Sequence, residues 1–417
     1  MRYAKYLLFL LLVPGPWTLT SLFAEQPLSL KALVDEVKER NPEILASRQR
    51  VKEKELRAKA EGFLDDPQFQ IMIEDIPTER PFNLGNSMLT RYTISQMFPF
   101  PGKLSLKQRM AIKEALMTEA QAIQKELEIV AMLKEIYYEY ALITESIKVT
   151  REIKDTLSEM ARIAEARYSL GQASQQDVIK AQVELTMLIN EILILEAEKD
   201  VAAARLKAIL NRDSSSPIGE PEGIPKETKE IRLDELINRA LDKNPGLKAI
   251  SFEIEAQDAA IGLAEKNYYP DFMIGVAPIQ REGRFDTWDA MLTLNIPLWR
   301  GRYDSQLGEA RTGREALAFM LNSEKNIKTL EVKEAAVKVD AAERIRRLYE
   351  TGLIPQVELS FGFALTSYQT GKIEFMALLD TERVLKRTRI EYLRALIDYN
   401  KGIASLEKVV GAEIGGS

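Results

Sequence analysis

The sequence predicts a mainly α-helical protein with a small β part, built from two tandem copies of a long helical hairpin. Three observations lead to this fold class: a very long helical segment, a repeat of its pattern, and two pairs of short strands. Residues 103–169 contain no proline and no glycine, so at a rise of ~1.5 Å per residue they would form a rod ~100 Å long. A compact globular core cannot use such a rod.

The long segment carries a heptad seam, because its apolar residues recur in alternating steps of three and four. The seam consists of Val130, Leu133, Tyr137, Tyr140, Thr144 and Ile147. A one-glycine turn at residues 170–172 then leads into a returning helix over about 173–210. A short helix over 28–40 and a second one over 42–63 precede the strands. The second and the returning helix together nearly match the long helix in length, so we expect them to stack end to end beside it.

The whole pattern occurs twice. A constant offset relates the later parts of the two halves, and a slightly larger one relates their earlier parts. Corresponding residues include Tyr168 and Tyr368, Gly171 and Gly371, Leu185 and Leu385, and Asn41 and Asn244. We therefore predict a first repeat over 25–210, a linker over 211–229 and a second repeat over 230–417. In the second long helix, about 303–367, Gly352 and Pro355 predict a kink or break.

The N-terminus has the pattern of a secretory signal peptide. Arg2 and Lys5 precede an apolar run over 6–13, and small residues follow near Ala24. A membrane anchor is the alternative, but Pro14 ends the run well short of the ~20 residues that span a bilayer. We expect residues 1–24 to be cleaved and the mature chain to leave the cytoplasm.

Composition narrows the classes of function. The net charge of −6 gives no reason to expect a nucleic-acid partner. Cysteine and histidine are absent, which excludes disulfides and thiolate chemistry and leaves only carboxylates, lysine or tyrosine as acid or base. No phosphate-binding loop and no Gly-x-Ser-x-Gly motif is present. We predict no enzyme and no cofactor, although missing motifs do not rule out a carboxylate-only active site.

Two segments of alternating residues, about 67–98 and 270–298, predict β-hairpins. In the last strand one face is apolar and the other more polar; the apolar face is Ala290, Leu292, Leu294 and Ile296. Four strands in an open sheet expose edges, so strands from several chains would have to close a shared barrel. Three copies give about twelve strands, enough to leave a lumen, which predicts a homotrimer and a transmembrane β-barrel. The alternative is a small soluble sheet that caps the helices.

These features resemble the TolC family of outer-membrane channel-tunnels. The most specific motifs are Arg167-Tyr168-Ser169-Leu170-Gly171 with Asp177-Val178, the matching segment 367–371 with Leu378-Leu379-Asp380, and the junction Phe98-Pro99-Phe100-Pro101-Gly102-Lys103. The resemblance implies a trimer whose twelve-stranded barrel in outer-membrane lipid continues as an α-barrel tunnel in the periplasm. It also implies two partners, a periplasmic adaptor (membrane fusion) protein and an inner-membrane pump. The junction is similar to that of the heavy-metal and cation efflux branch.

The resemblance also assigns roles to individual residues. The two turns, Leu170-Gly171-Gln172 and Thr370-Gly371-Lys372, would contact the adaptor; Asp177 and Tyr368 would hold the tip closed; Asp380, with Glu374, would form a ring of carboxylates at the constriction. Each has a plainer interpretation: the glycines end helices, Asp177 favours a helix N-terminus, and Asp380 pairs with Arg383. The chain departs from the family at Ala377, because some relatives carry a second acidic ring at this position. It also lacks the cysteine that is acylated in many relatives.

The predicted function is a passive exit duct of a tripartite efflux system. A structural periplasmic coiled-coil spacer and a type I protein-secretion duct are the alternatives. The sequence leaves the cargo open, since drugs, metal ions and polypeptides all use ducts of this kind.

Overall fold

A computed structural model describes residues 27–76, 78–79 and 89–414. The predicted signal peptide, 1–24, and most of the polar loop with Pro77, Pro81, Asn83, Gly85 and Asn86 lie outside the described residues. The fold is mainly α with four strands, as predicted.

The two halves have the same order of elements: two helices, two strands, a long helix and a returning helix. The first half comprises α1 (Leu30–Arg40), α2 (Pro42–Ala60), β1 (Gln68–Glu74), β2 (Leu89–Phe98), α3 (Lys103–Ser169) and α4 (Gln175–Ile209). The second comprises α5 (Leu233–Lys243), α6 (Pro245–Lys266), β3 (Asp271–Arg281), β4 (Arg284–Asn295), α7 (Arg300–Leu348), α8 (Ile354–Gln369) and α9 (Phe375–Val410). Across the described ranges, no helix is both long and apolar enough to span a membrane.

The predicted end-to-end stacking is confirmed: α2 and α4 both pack along α3 and meet at Asn41. The Asn41 side-chain oxygen accepts hydrogen bonds from the first amides of α2, and its side-chain nitrogen donates to the Ile209 carbonyl, 2.8 Å away. Asn244 does the same in the second half, capping α6 and donating over 2.8 Å to the Val409 carbonyl. One asparagine per repeat thus joins the start of one helix to the end of another.

The second long helix is interrupted, as Pro355 predicts. A π-helical turn, Tyr349–Leu353, separates α7 from α8. Proline lacks the amide needed for the regular hydrogen bond, and the wider turn accommodates that loss.

Five of the six residues of the α3 heptad seam are buried, and Val130 is partly buried. Leu133 is fully enclosed, and Tyr137 and Tyr140 are nearly so. Farther along α3, Ile153 and Leu157 share a second core with Tyr368, Phe375 and Leu378 from the other repeat. The two repeats therefore form one packed unit near their turns.

The strands form a single antiparallel sheet in the order β1-β2-β3-β4, so pairing of β2 with β3 joins the two predicted hairpins. Register aligns Ile94 with Val276, and Val276 with Ala290, on one exposed face. Thr93 and Ser95 point to the other face and are buried. The apolar and the polar face therefore run through the whole sheet, and no strand of the described residues pairs with the outer edges of β1 and β4.

The second hairpin lies within the predicted segment 270–298, and its two strands fill nearly all of it. β3 and β4 continue to a turn at Glu282-Gly283, where both residues have positive φ, and a bulge lies between Ile279 and Gln280. Charged residues such as Asp286 and Asp289 break the alternation of apolar and polar residues, so the sequence pattern did not mark the first part of β4.

Candidate functional site

The two predicted turns, 170–172 and 370–372, have the same backbone geometry. Gly171 and Gly371 adopt φ of +70° and +77°, a conformation that favours glycine. In each turn the following amide donates over 2.8 Å to a carbonyl at the end of the preceding helix, which ends that helix as a Schellman motif. All six predicted tip residues are exposed: Leu170, Gly171, Gln172, Thr370, Gly371 and Lys372. They form the two helical-hairpin ends of the chain, as predicted.

Arg167 joins the two turns. Its guanidinium donates to the Tyr368 carbonyl oxygen of the second repeat and to the Gln172 carbonyl oxygen of its own turn, 3.3 Å away. The same group lies 4.9 Å from the centre of the Tyr368 ring, a cation–π contact. The repeat pattern did not indicate this role, because the equivalent position in the second repeat is Ser367.

The predicted closure contact between Asp177 and Tyr368 is not a hydrogen bond within this chain. Tyr368 is 1% exposed, and its hydroxyl is buried without a hydrogen-bond partner in the described part of the chain. Burial raises the pKa of Tyr368; the Asp177 charge adds to that rise, and Arg167 opposes it. Asp177 lies in the first turn of α4, where its amide donates over 3.2 Å to Ser174 Oγ. This position fits the plainer interpretation that it stabilises a helix N-terminus.

Asp380 lies in the second turn of α9, and its side chain is 68% exposed. The predicted ion pair with Arg383 is present but long, at 3.9 Å. Arg383 makes its short contact elsewhere: its Nη2 lies 2.6 Å from Glu184 Oε2 on α4. Asp380 is therefore largely free of its neighbour, and Glu374, also exposed, immediately precedes α9.

Glu184 is a residue that the sequence analysis missed. It is 7% exposed and lies on α4 between the buried residues Ala181 and Leu188. A carboxylate inside an apolar stripe is a signal in itself, because burying a charge is costly unless the charge is paired. Its partner Arg383 comes from the other repeat, so the bond ties α4 to α9 near the tip.

In the described ranges, no three or more Asp and Glu side chains are grouped so that they could hold a metal ion. The predicted site residues instead lie at the two turns, at helix starts or on the exposed face of a helix.

Comparison with known proteins identifies the chain's relatives. The family described as outer membrane efflux protein matches residues 33–212 and 236–412, which is most of the chain. The chain belongs to the outer membrane efflux protein family. This efflux channel is similar to the cobalt-zinc-cadmium resistance protein CzcC of Cupriavidus metallidurans, with 22% identity over 84% of this chain and 81% of CzcC. It is also similar to nodulation protein T of Rhizobium leguminosarum bv. trifolii, with 21% identity over 61% of this chain and 56% of that protein.

Solved structures share the fold. The outer-membrane channel OprN superposes with a TM-score of 0.78 and 16% identity, over 92% of this chain and 90% of that one. CusC superposes with a TM-score of 0.76 and 16% identity, over 92% of both chains. VceC of Vibrio cholerae gives 0.76 and 17% identity over 92% of this chain and 96% of that one. Membership of the outer membrane efflux protein family, together with the similarity to CzcC, places the efflux channel in the outer membrane with its helices in the periplasm; it conducts solutes rather than catalysing a reaction.

Proposed function

We propose that three copies of the efflux channel form the exit duct of a tripartite system that expels divalent metal cations. The observation that carries the trimer is the sheet. In the described part of the chain, the outer edges of β1 and β4 are unpaired, and one face of the sheet is exposed and apolar. Unpaired backbone groups in lipid are costly, so the edges must meet strands of other copies. Three copies supply about twelve strands, enough to enclose a lumen.

The helices support the same assembly. Exposed apolar residues follow helical spacing on α4: Ile179, Val183, Met187, Ile194 and Val201. A second row runs along α7 and α8: Leu330, Val337, Leu348, Leu359 and Phe363. Apolar rows of this length need a partner in water. Neighbouring copies that pack these rows together would continue the barrel as a helical tunnel.

The two turns are the proposed contact surface for the periplasmic adaptor. The adaptor would in turn connect the channel to the inner-membrane pump. They are exposed, adjacent and fixed by Arg167, so they present one preformed surface. Asp177 is only partly buried and is proposed to help close the tip by contacting a neighbouring copy. Tyr368 would contribute to closure through its ring and carbonyl, both held by Arg167, since its hydroxyl is inaccessible.

Asp380 is the proposed constriction. Three-fold symmetry would bring three exposed carboxylates together, and Glu374 would add a second, wider ring. Such rings attract cations. The similarity to CzcC, whose name specifies cobalt, zinc and cadmium resistance, supports divalent metals as the cargo.

Three measurements test the proposal. The mass of the protein in mild detergent should equal three copies, and the purified protein should conduct ions across a planar bilayer. Deleting the gene should make cells more sensitive to cobalt, zinc or cadmium. A monomeric, non-conducting protein would contradict the duct, whereas a loss of polypeptide secretion with normal metal tolerance would favour the type I secretion alternative.

A further inference from the structure

Glu382 is a buried carboxyl group on α9. It lies on α9 between Leu379 and Leu385, facing the apolar core near the turns, and it is 1% exposed. Neither of its carboxyl oxygens has a hydrogen-bond partner in the part of the chain that the structure describes. Buried polar groups are nearly always paired, so one left without a partner calls for a physical role.

Four charged groups from two helices surround Glu382, and all of them are already paired. Arg383 and Lys386 lie on α9 itself, and each is 2.6 Å from a carboxylate of α4, Glu184 and Glu191 respectively. Two turns farther along α9, Arg389 bonds to Glu152 of α3 and to Glu358 of α8. Within the described residues, both cations that act on Glu382, Arg383 and Lys386, are therefore already engaged by other carboxylates.

The environment favours the neutral acid. Burial raises the pKa of Glu382 to about 7; Glu184 and Glu191 add to the rise, and Lys386 and Arg383 oppose it. A group whose pKa is raised in the packed state stabilises that state at low pH. This stabilisation is complete below the ordinary value of 4.5 and is lost as the pH rises to about 7.

We propose that Glu382 is a proton-sensitive residue that sets how tightly α9 packs against α4, so that the tip is closed in mild acid and loosens near neutral pH. The proposal rests on the proposed duct. When neutral, Glu382 fits the apolar core and leaves the two ion pairs between α4 and α9 intact. When ionised, it competes with Glu184 for Arg383 and with Glu191 for Lys386. Competition weakens the ion pairs that join the returning helices of the two repeats.

The absence of cysteine makes a direct test possible. Gln172→Cys places one spin label at the tip of each copy, and dipolar spectroscopy then measures the distances between labels in the assembled channel. From about pH 5 to about pH 8 we expect these distances to lengthen in the otherwise unchanged protein. Glu382→Gln, which mimics the neutral acid, should keep the short distances at every pH. Glu159→Gln, at an exposed position of α3, is the matched control and should behave like the unchanged protein.

A second measurement needs no variant of Glu382. Hydrogen exchange of the peptide over residues 375–390, corrected for the intrinsic effect of pH, should accelerate over the same range. Distances that do not respond to pH within an assembled trimer, or an equal response in Glu382→Gln, would overturn the role of Glu382 alone. Particles with a single label would instead refute the trimer and the duct, so the two failures are distinguishable.

Discussion

The guanidinium of Arg167 lies 4.9 Å from the ring centre of Tyr368, and through this contact the turn of one repeat holds the turn of the other. The two residues are 201 positions apart in the chain. Arg167 also donates to the backbone of both turns, so a single side chain fixes their relative position.

Arg167→Met should therefore loosen the tip, while Tyr368→Phe should not. The first change removes two hydrogen bonds and the cation–π contact and should cost ~1–2 kcal/mol of free energy of unfolding. The second removes a hydroxyl without a partner in the described chain and should change stability by less than ~0.5 kcal/mol. In a planar bilayer we expect higher basal conductance for Arg167→Met only. A rise in Tyr368→Phe would show that the hydroxyl closes the tip after all.

Bulky substitutions at the two glycines test docking. Gly171→Val and Gly371→Val force a β-branched residue into positive φ, at a cost of ~1–3 kcal/mol each. A side chain at Gly371 would also meet Arg167 Nη2, because a Cβ there would lie 3.2 Å from it. We expect trimers of normal mass and loss of metal tolerance in cells. Gly301→Val, at a position with open space far from the turns, is the control. Normal tolerance with both turns altered would place adaptor docking elsewhere.

Asp380→Asn tests the proposed constriction. Removing three carboxylates from a narrow passage should lower the preference for cations over anions and weaken block by trivalent ions, both measured in single channels. Asp398→Asn, at an exposed position five turns farther along the same helix, serves as the control. If Asp380→Asn retains the selectivity and block of the unchanged channel, the residue does not face the lumen.

The paired asparagines offer a test of stability. Asn41→Ala removes a helix cap and a buried hydrogen bond to the Ile209 carbonyl. We therefore expect the free energy of unfolding, measured by thermal denaturation, to fall by ~1–3 kcal/mol. Asn41→Asp keeps the cap but loses the donor, so its free energy of unfolding should lie between those of Asn41→Ala and the unchanged protein. Asn244 should respond in the same way. Equal stability of the Ala and Asp variants would mean that capping contributes little.

Local patterns predicted the helices well. The absence of glycine and proline marked α3 almost to the residue, and Pro355 marked the break, because both effects act within a few residues of chain. Pairing of β2 with β3 was not predictable in this way, since an alternating strand does not specify its partner. The bond between Glu184 and Arg383 depends on how α4 packs against α9, and that packing brings together side chains 199 residues apart.

The pairing of β2 with β3 carries its own evolutionary consequence. In this pairing β2, the second strand of the first repeat, meets β3, the first strand of the second repeat. In the proposed trimer, β4 of one copy would meet β1 of the adjacent copy in the same way. A ring of three chains then has six equivalent seams, three of them internal, as though six half-length ancestors had been fused in pairs. Because Ile94 pairs with Val276 inside the chain, the repeat offsets place Leu294 opposite Ile73 of the adjacent copy. Cysteines at these two positions should form an intermolecular disulfide, so each chain already contains the pattern for its own ring closure.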